Sequence, residues 1–176
     1  MTDLPMAALR GRVLVSHERV KFADADPYGH LASGAYVDMV MSHRVEVLDD
    51  RLGFSIVGSA RSGVAYPARN VEVAYLRPAF VGDRLELGSW IEAIGTRSFE
   101  VRVVVAGEED RAVRALATLV FVAVDARTGK AVPVPEALPS TASGDPLSAL
   151  PLAADYLRTL AGIPEGWLGS DDAPAT

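Results

Sequence analysis

Between Ala35 and Met41 the only polar side chain is Asp38. This limits the fold more than any other feature of the chain, because a helix apolar nearly all round must be enclosed by other structure. Read at 3.6 residues per turn, Val37, Met41, Leu48 and Leu52 share one stripe, and Tyr36, Val40 and Val47 the adjoining one. The spacing predicts an amphipathic helix of about four to five turns. Asp38, Ser42, Glu46 and Asp49 or Asp50 form a narrow polar stripe for water or a partner subunit, and His43 and Arg44 read as interface or ion-pair residues. Ser33 is the expected N-cap, with Gly34 permitting close approach to the backbone; Arg51 and then Gly53 mark the end.

Just before this helix, Asp26-Pro27-Tyr28-Gly29 has the residue order of a type I turn. The step from Asp26 to Ser33 is short enough to fold the carboxylate back toward the helix entrance. The unsatisfied N–H groups there attract negative charge, whether a carboxylate or the oxygen of a polarised carbonyl. On the turn chemistry alone Asp26 is a turn former first, and Asp24 a hydrogen-bonding residue at a strand end. His30 either bonds a backbone carbonyl or touches a ligand.

Residues before about 12 are expected to be loose. A first strand is expected over 13–22, and the Gly- and Ser-rich stretch 53–63 reads as a mobile loop. Strand-like alternation then recurs over 64–76, 84–94, 99–106 and 113–125, joined by short turns that favour antiparallel neighbours. The predicted class is α+β, with a long central helix wrapped by a curved antiparallel sheet of about five strands, the hot-dog arrangement. Val132-Pro133-Val134-Pro135 ends the sheet, since two prolines remove ladder donors. The expected domain covers 1–138. Residues 139–176 form an appendage with a short helix over 151–161, presenting Leu152, Tyr156, Leu157 and Leu160, and a disordered end at 170–176.

The 176 residues suit one domain, and 49% hydrophobic content suffices for a sizeable core. A net charge of −6 without a basic cluster argues against nucleic-acid or membrane-surface binding. The absence of cysteine removes disulfides and thiol nucleophiles. His17, His30 and His43 have no metal-ligand spacing, and no phosphate-cradling or dinucleotide motif occurs, so neither metal nor cofactor is expected. The N-terminus lacks signal-peptide character, and the longest apolar run, 115–124, is too short to span a bilayer. A soluble cytoplasmic protein is expected.

Phe22-Ala-Asp-Ala-Asp-Pro-Tyr-Gly-His30, the Tyr36 that follows, Arg44 and Glu46, Tyr75-Leu-Arg-Pro78 with Gly82-Asp83, and the segment 125–135 occur in a particular order and spacing. In these the chain, over about residues 13–138, resembles the hot-dog acyl-CoA thioesterases, in particular the 4-hydroxybenzoyl-CoA thioesterase-like (4HBT-like) group. The resemblance implies a hydrolase that cleaves an acyl-CoA or acyl-carrier-protein thioester to free acid and thiol. Asp26 would be the catalytic carboxylate, and the backbone N–H groups of Ser33 and Gly34 would stabilise the oxyanion. It also implies a homodimer or homotetramer with the pocket between subunits, coenzyme A present only as part of the substrate, and phosphate contact at Arg97 and Ser98. Tyr28, His30, Tyr36, Phe54 and Tyr66 are the candidate substrate-binding residues. Of these Tyr28, Phe54 and Tyr66, with Ile56, suit either a tunnel for a chain or a slot for a ring. The chain departs from the pattern at Ala32-Ser33, where many relatives carry Asn-Asn, and at Met41-Ser42, where many carry Glu. Those departures define the alternative expectation, a non-catalytic acyl-CoA-binding protein. A hot-dog hydratase ranks lower, because the residues after Asp26 lack the Asp and His that its chemistry uses.

Overall fold

The structure, a computed structural model, describes residues 2–142 and 145–167. The end expected to be disordered, 170–176, lies outside the described residues. In chain order the elements are β1 (Thr2–Pro5), α1 (Met6–Leu9), β2 (Leu14–Arg19), α2 (Ser33–Leu52), α3 (Ile56–Ser62), β3 (Val64–Ala65), β4 (Ala68–Tyr75), β5 (Arg84–Ile94), β6 (Ser98–Gly107), β7 (Val113–Val122), β8 (Val124–Asp125), β9 (Ala137–Ser140) and α4 (Ala153–Arg158).

Strands β2, β5, β6, β7 and β4 form one five-stranded sheet in that order, and every neighbouring pair is antiparallel. With α2 on one face, this is the α+β hot-dog arrangement expected from the sequence. Alternation along the strands sorts the core into two sides. Leu85, Leu87, Val101, Val103, Ala117 and Leu119 pack with α2. Trp90, Val104 and Leu116 point to the other side, where Tyr156 and Leu157 of α4 cover them. Gly88 makes that docking possible: a Cβ there would lie 2.5 Å from the Tyr156 ring. The appended helix is thus shorter than predicted, and Leu152 stays 47% exposed while Tyr156 and Leu157 are buried.

Several expectations are corrected. Strand β2 stops at Arg19, because residues Phe22–Asp24 form a single 3-10 turn and Phe22 is 87% exposed. The N-terminal residues are not loose. β1 pairs with β9, and Met6 and Leu9 are buried in the core, so the boundary drawn at residue 138 falls inside a strand. The stretch 53–63 contains a helix, α3, whose N-cap Ser55 accepts from the Gly58 N–H at 3.1 Å. Finally, α2 is 20 residues long, about 30 Å, but the sheet covers one side of it. Tyr36, Val40, Val47, Leu48 and Leu52 are buried, Val37 and Met41 only partly, and Val45 is exposed. The buried face also includes His43 and Arg44, so these are interior side chains. His43 lies between the Ser16 and Ser89 hydroxyls, at 2.6 Å from Nδ1 and 2.8 Å from Nε2. Among the described residues, no helix is long and apolar enough to cross a membrane.

Candidate active site

Asp26 closes its own turn. Its Oδ1 accepts from the N–H groups of Tyr28 (2.9 Å) and His30 (3.0 Å), and its own N–H donates to the His30 carbonyl at 2.7 Å. Gly29 supplies the left-handed residue that this turn requires (φ 79°). The turn former read from the sequence is therefore present, and only one carboxylate oxygen is used by it: among the described residues, Oδ2 has no donor.

From this turn the chain runs directly into α2. Ala25 bridges to Leu31, and the Ala32 N–H donates to the Asp24 carbonyl at 2.9 Å. A second segment braces the pair: Leu31 donates to the Ala79 carbonyl at 2.8 Å, and the His30 ring meets the Phe80 ring edge-on at 5.0 Å. The helix begins one residue away from the expected pattern. Ala32 is the N-cap, Ser33 is the first helical residue, and no side chain caps the entrance. The first intrahelical bond is from Tyr36 N–H to the Ala32 carbonyl, so the N–H groups of Ser33 and Gly34 have no acceptor among the described residues. Space above Gly34 is open, with nothing within 4 Å of where a Cβ would stand. The Tyr75 hydroxyl donates to the Ser33 carbonyl at 3.0 Å and pins the end of β4 to the helix entrance.

Asp26, Tyr28, His30, Ser33 and Gly34 thus gather near the end of the sheet where β2 ends and β5 begins, with the segment braced by residues 79–81. Tyr28 is 82% exposed there. Tyr36 is not at the surface. It is buried edge-on against Tyr75 at 5.3 Å, and burial pushes its hydroxyl pKa up to about 12. The other candidates lie elsewhere within the chain. Phe54 and Tyr66 form an aromatic contact at 6.3 Å, and Tyr66 meets Phe99 at 5.8 Å. Burial raises the Tyr66 hydroxyl pKa. Arg97 and Ser98 stand at the turn joining β5 to β6, the far end of that ladder from Leu85–Gly107. The length of β6, about 30 Å at 3.3 Å per residue, separates them from the end that carries Asp26. Sequence reasoning assigned no role to Tyr75 or Phe80. Both flank the Arg77-Pro78 turn, and only the tertiary path of β4 brings them to the helix entrance. No group of three metal-ligating side chains converges among the described residues.

A five-stranded antiparallel sheet carrying a 20-residue helix on one face defines the hot-dog fold. The chain belongs to the thioesterase-like superfamily, whose profile matches residues 20–141. It is similar to the long-chain acyl-CoA thioesterase FadM of Escherichia coli (strain K12), with 25% identity over 114 residues, covering 65% of this chain and 85% of that protein. Among solved structures, a 1,4-dihydroxy-2-naphthoyl-CoA thioesterase from Synechocystis matches with a TM-score of 0.64 at 20% identity, over 70% of this chain and 90% of that one. A DHNA-CoA thioesterase from Staphylococcus aureus matches with a TM-score of 0.63 at 16% identity, over 69% and 80%.

Proposed function

We propose that the protein is a homodimeric thioesterase that hydrolyses an acyl-CoA or acyl-carrier-protein thioester, with Asp26 as its catalytic carboxylate. One observation carries this reading: the Asp26 turn, whose Oδ2 has no donor among the described residues, leads directly into a helix whose Ser33 and Gly34 N–H groups have no acceptor among them. Membership of the thioesterase-like superfamily and the likeness to FadM support it. In this mechanism Asp26 Oδ2 takes a proton from water as the water oxygen bonds to the thioester carbon. The carbonyl oxygen becomes an oxyanion facing the uncapped end of α2, where one backbone donor contributes about 3 kcal/mol to lowering the barrier and the helix dipole adds to it. The carbonyl then re-forms as the carbon–sulfur bond breaks, and the sulfur takes the proton held on Asp26, leaving as the thiol and restoring the carboxylate. Water and a carboxylate suffice, so coenzyme A enters only as part of the substrate.

The position of β4 supports the dimer. It is an outer strand of the sheet, with Val71 36% and Tyr75 48% exposed. Two copies pairing antiparallel along β4 would set the start of one strand, Ala68, beside the end of the other, Tyr75. Tyr66, Phe54, Arg97 and Ser98 of one copy would then approach Asp26 and Ser33 of the other.

A second reading, a non-catalytic acyl-CoA-binding protein, draws on Ala32 as the N-cap, because its methyl group cannot position water. Thiol release from short, long and aromatic acyl-CoAs, measured for the unmodified protein and for Asp26→Asn, separates the two. The expected result is turnover on part of the panel and a fall in kcat of about 10²-fold or more in the variant. Turnover that survives in Asp26→Asn sinks the assignment of Asp26, and binding without turnover on any acyl-CoA selects the second reading.

A further inference from the structure

Arg44 projects from the sheet-facing side of α2 into the protein interior and is only 7% exposed. Its guanidinium stacks on Phe121, 3.7 Å from the ring centroid, and on Phe99 at 4.9 Å. Among the described residues no carboxylate pairs with it, and Nε and Nη1 have no hydrogen-bond acceptor. Ring faces attract a cation, but they do not satisfy N–H donors. Burial lowers its pKa to about 9, so it stays charged at neutral pH.

The guanidinium borders a cleft between the C-terminal half of α2 and the sheet, walled by Leu9, Leu14, Val47, Phe54, Val101 and Leu138, with ≈ 40 Å³ of unfilled space. One water needs about 10–15 Å³ of such space, so the cleft has room for a larger group. The charged side chains in its wall are both cations, Arg12 and Arg44; no Asp or Glu lines it. Ser89 also lines it, and its hydroxyl meets His43 Nε2 at 2.8 Å. With the His43 proton on Nε2, Ser89 accepts from the ring and keeps its own proton for the cleft. A single water would leave the buried charge unmatched, whereas an anionic oxygen pair answers both the charge and the free donors.

We propose that this cleft receives the far end of the substrate's acyl group, and that this end carries a carboxylate held by Arg44 and Ser89. The inference rests on the reading of the protein as a thioesterase paired through β4. Tyr66, at the cleft wall, runs through Pro67 into Ala68, so the pairing turns the cleft of one copy toward Asp26 of the other. The substrate class is then the CoA thioester of a dicarboxylic acid, with an apolar body between its two ends.

The test compares the CoA monothioester of suberate with octanoyl-CoA, which has the same chain length but a methyl end. A preference of about tenfold or more in kcat/KM for the carboxylate-ended substrate is expected. Arg44→Met should abolish it through KM, and Arg44→Lys should restore part of it. No preference, or one that persists in Arg44→Met, overturns the inference while leaving the hydrolase reading intact. A readout independent of turnover and of the variants' folding is the Nε–H signal of Arg44 in the isotope-labelled unmodified protein titrated with free suberate. A saturable shift absent with octanoate supports the cleft assignment even if no thioester is hydrolysed; an unmoved signal overturns it.

Discussion

Burial, with the neighbouring Arg44 charge adding to it, holds the pKa of His43 down at about 4, against an ordinary value of 6.5. An unfolded chain therefore takes up that proton first. The stability contributed by neutral His43 is complete above about pH 6.5 and drains away as the pH falls toward 4, a loss of about 3 kcal/mol. Urea unfolding at pH 7 and pH 4.5 should show this. His43→Gln, which can still bond Ser16 and Ser89, should flatten the difference, and an equally steep dependence in that variant would assign it to other groups. His43 and Arg44 are also where sequence reading is weakest. Charged and polar side chains are normally exposed, so the helical pattern alone read both as interface or ion-pair residues. Their burial depends on two serines on β2 and β5 and two phenylalanines on β6 and β7, brought together only by the sheet.

Helix α2 starts without a side-chain cap, and its free N–H groups are the same donors the proposed reaction uses. Ala32→Ser would supply a hydroxyl for the N–H of Gly34 or Ala35, raising stability by about 1 kcal/mol. The same change should lower kcat by about tenfold or more, since one oxyanion donor is occupied. Denaturant midpoint and thiol release, measured on one preparation, check both halves, and a variant that gains stability at full kcat would show that these donors are not used. At this scale most of the chain was legible. The strands over β4 to β7 and the extent of α2 followed from residue periods of two and 3.6, because long elements with one buried face carry that pattern along their length. α3 and β1 carried none. A short helix with an internal Gly58 is held by its Ser55 cap and by packing, and β1 is defined by a partner far along the chain. The Asp26 turn was legible from its Pro and Gly, whereas the cap lay one residue before the serine that suggested it.

For the molecule as a whole, the exposed outer edge of β4 predicts how the proposed dimer can be broken. Val71→Lys puts a charge on that edge, a device by which outer strands resist pairing with another chain. Sedimentation should show a shift from dimer to monomer. Thiol release should fall with it, because the aromatic and basic candidates of one copy no longer reach Asp26 of the other. A dimer of undiminished stability would move the interface elsewhere. The seam between β1 and β9 has a different consequence, for synthesis. Thr2 pairs with Ser140 and Pro5 with Ala137, so a nascent chain emerges from the ribosome with its first strand unmatched until most of the protein has been made. Closing the β1–β9 seam therefore comes after every strand of the five-stranded sheet has been synthesised. A fusion partner placed ahead of Thr2 would sit directly on that closing step.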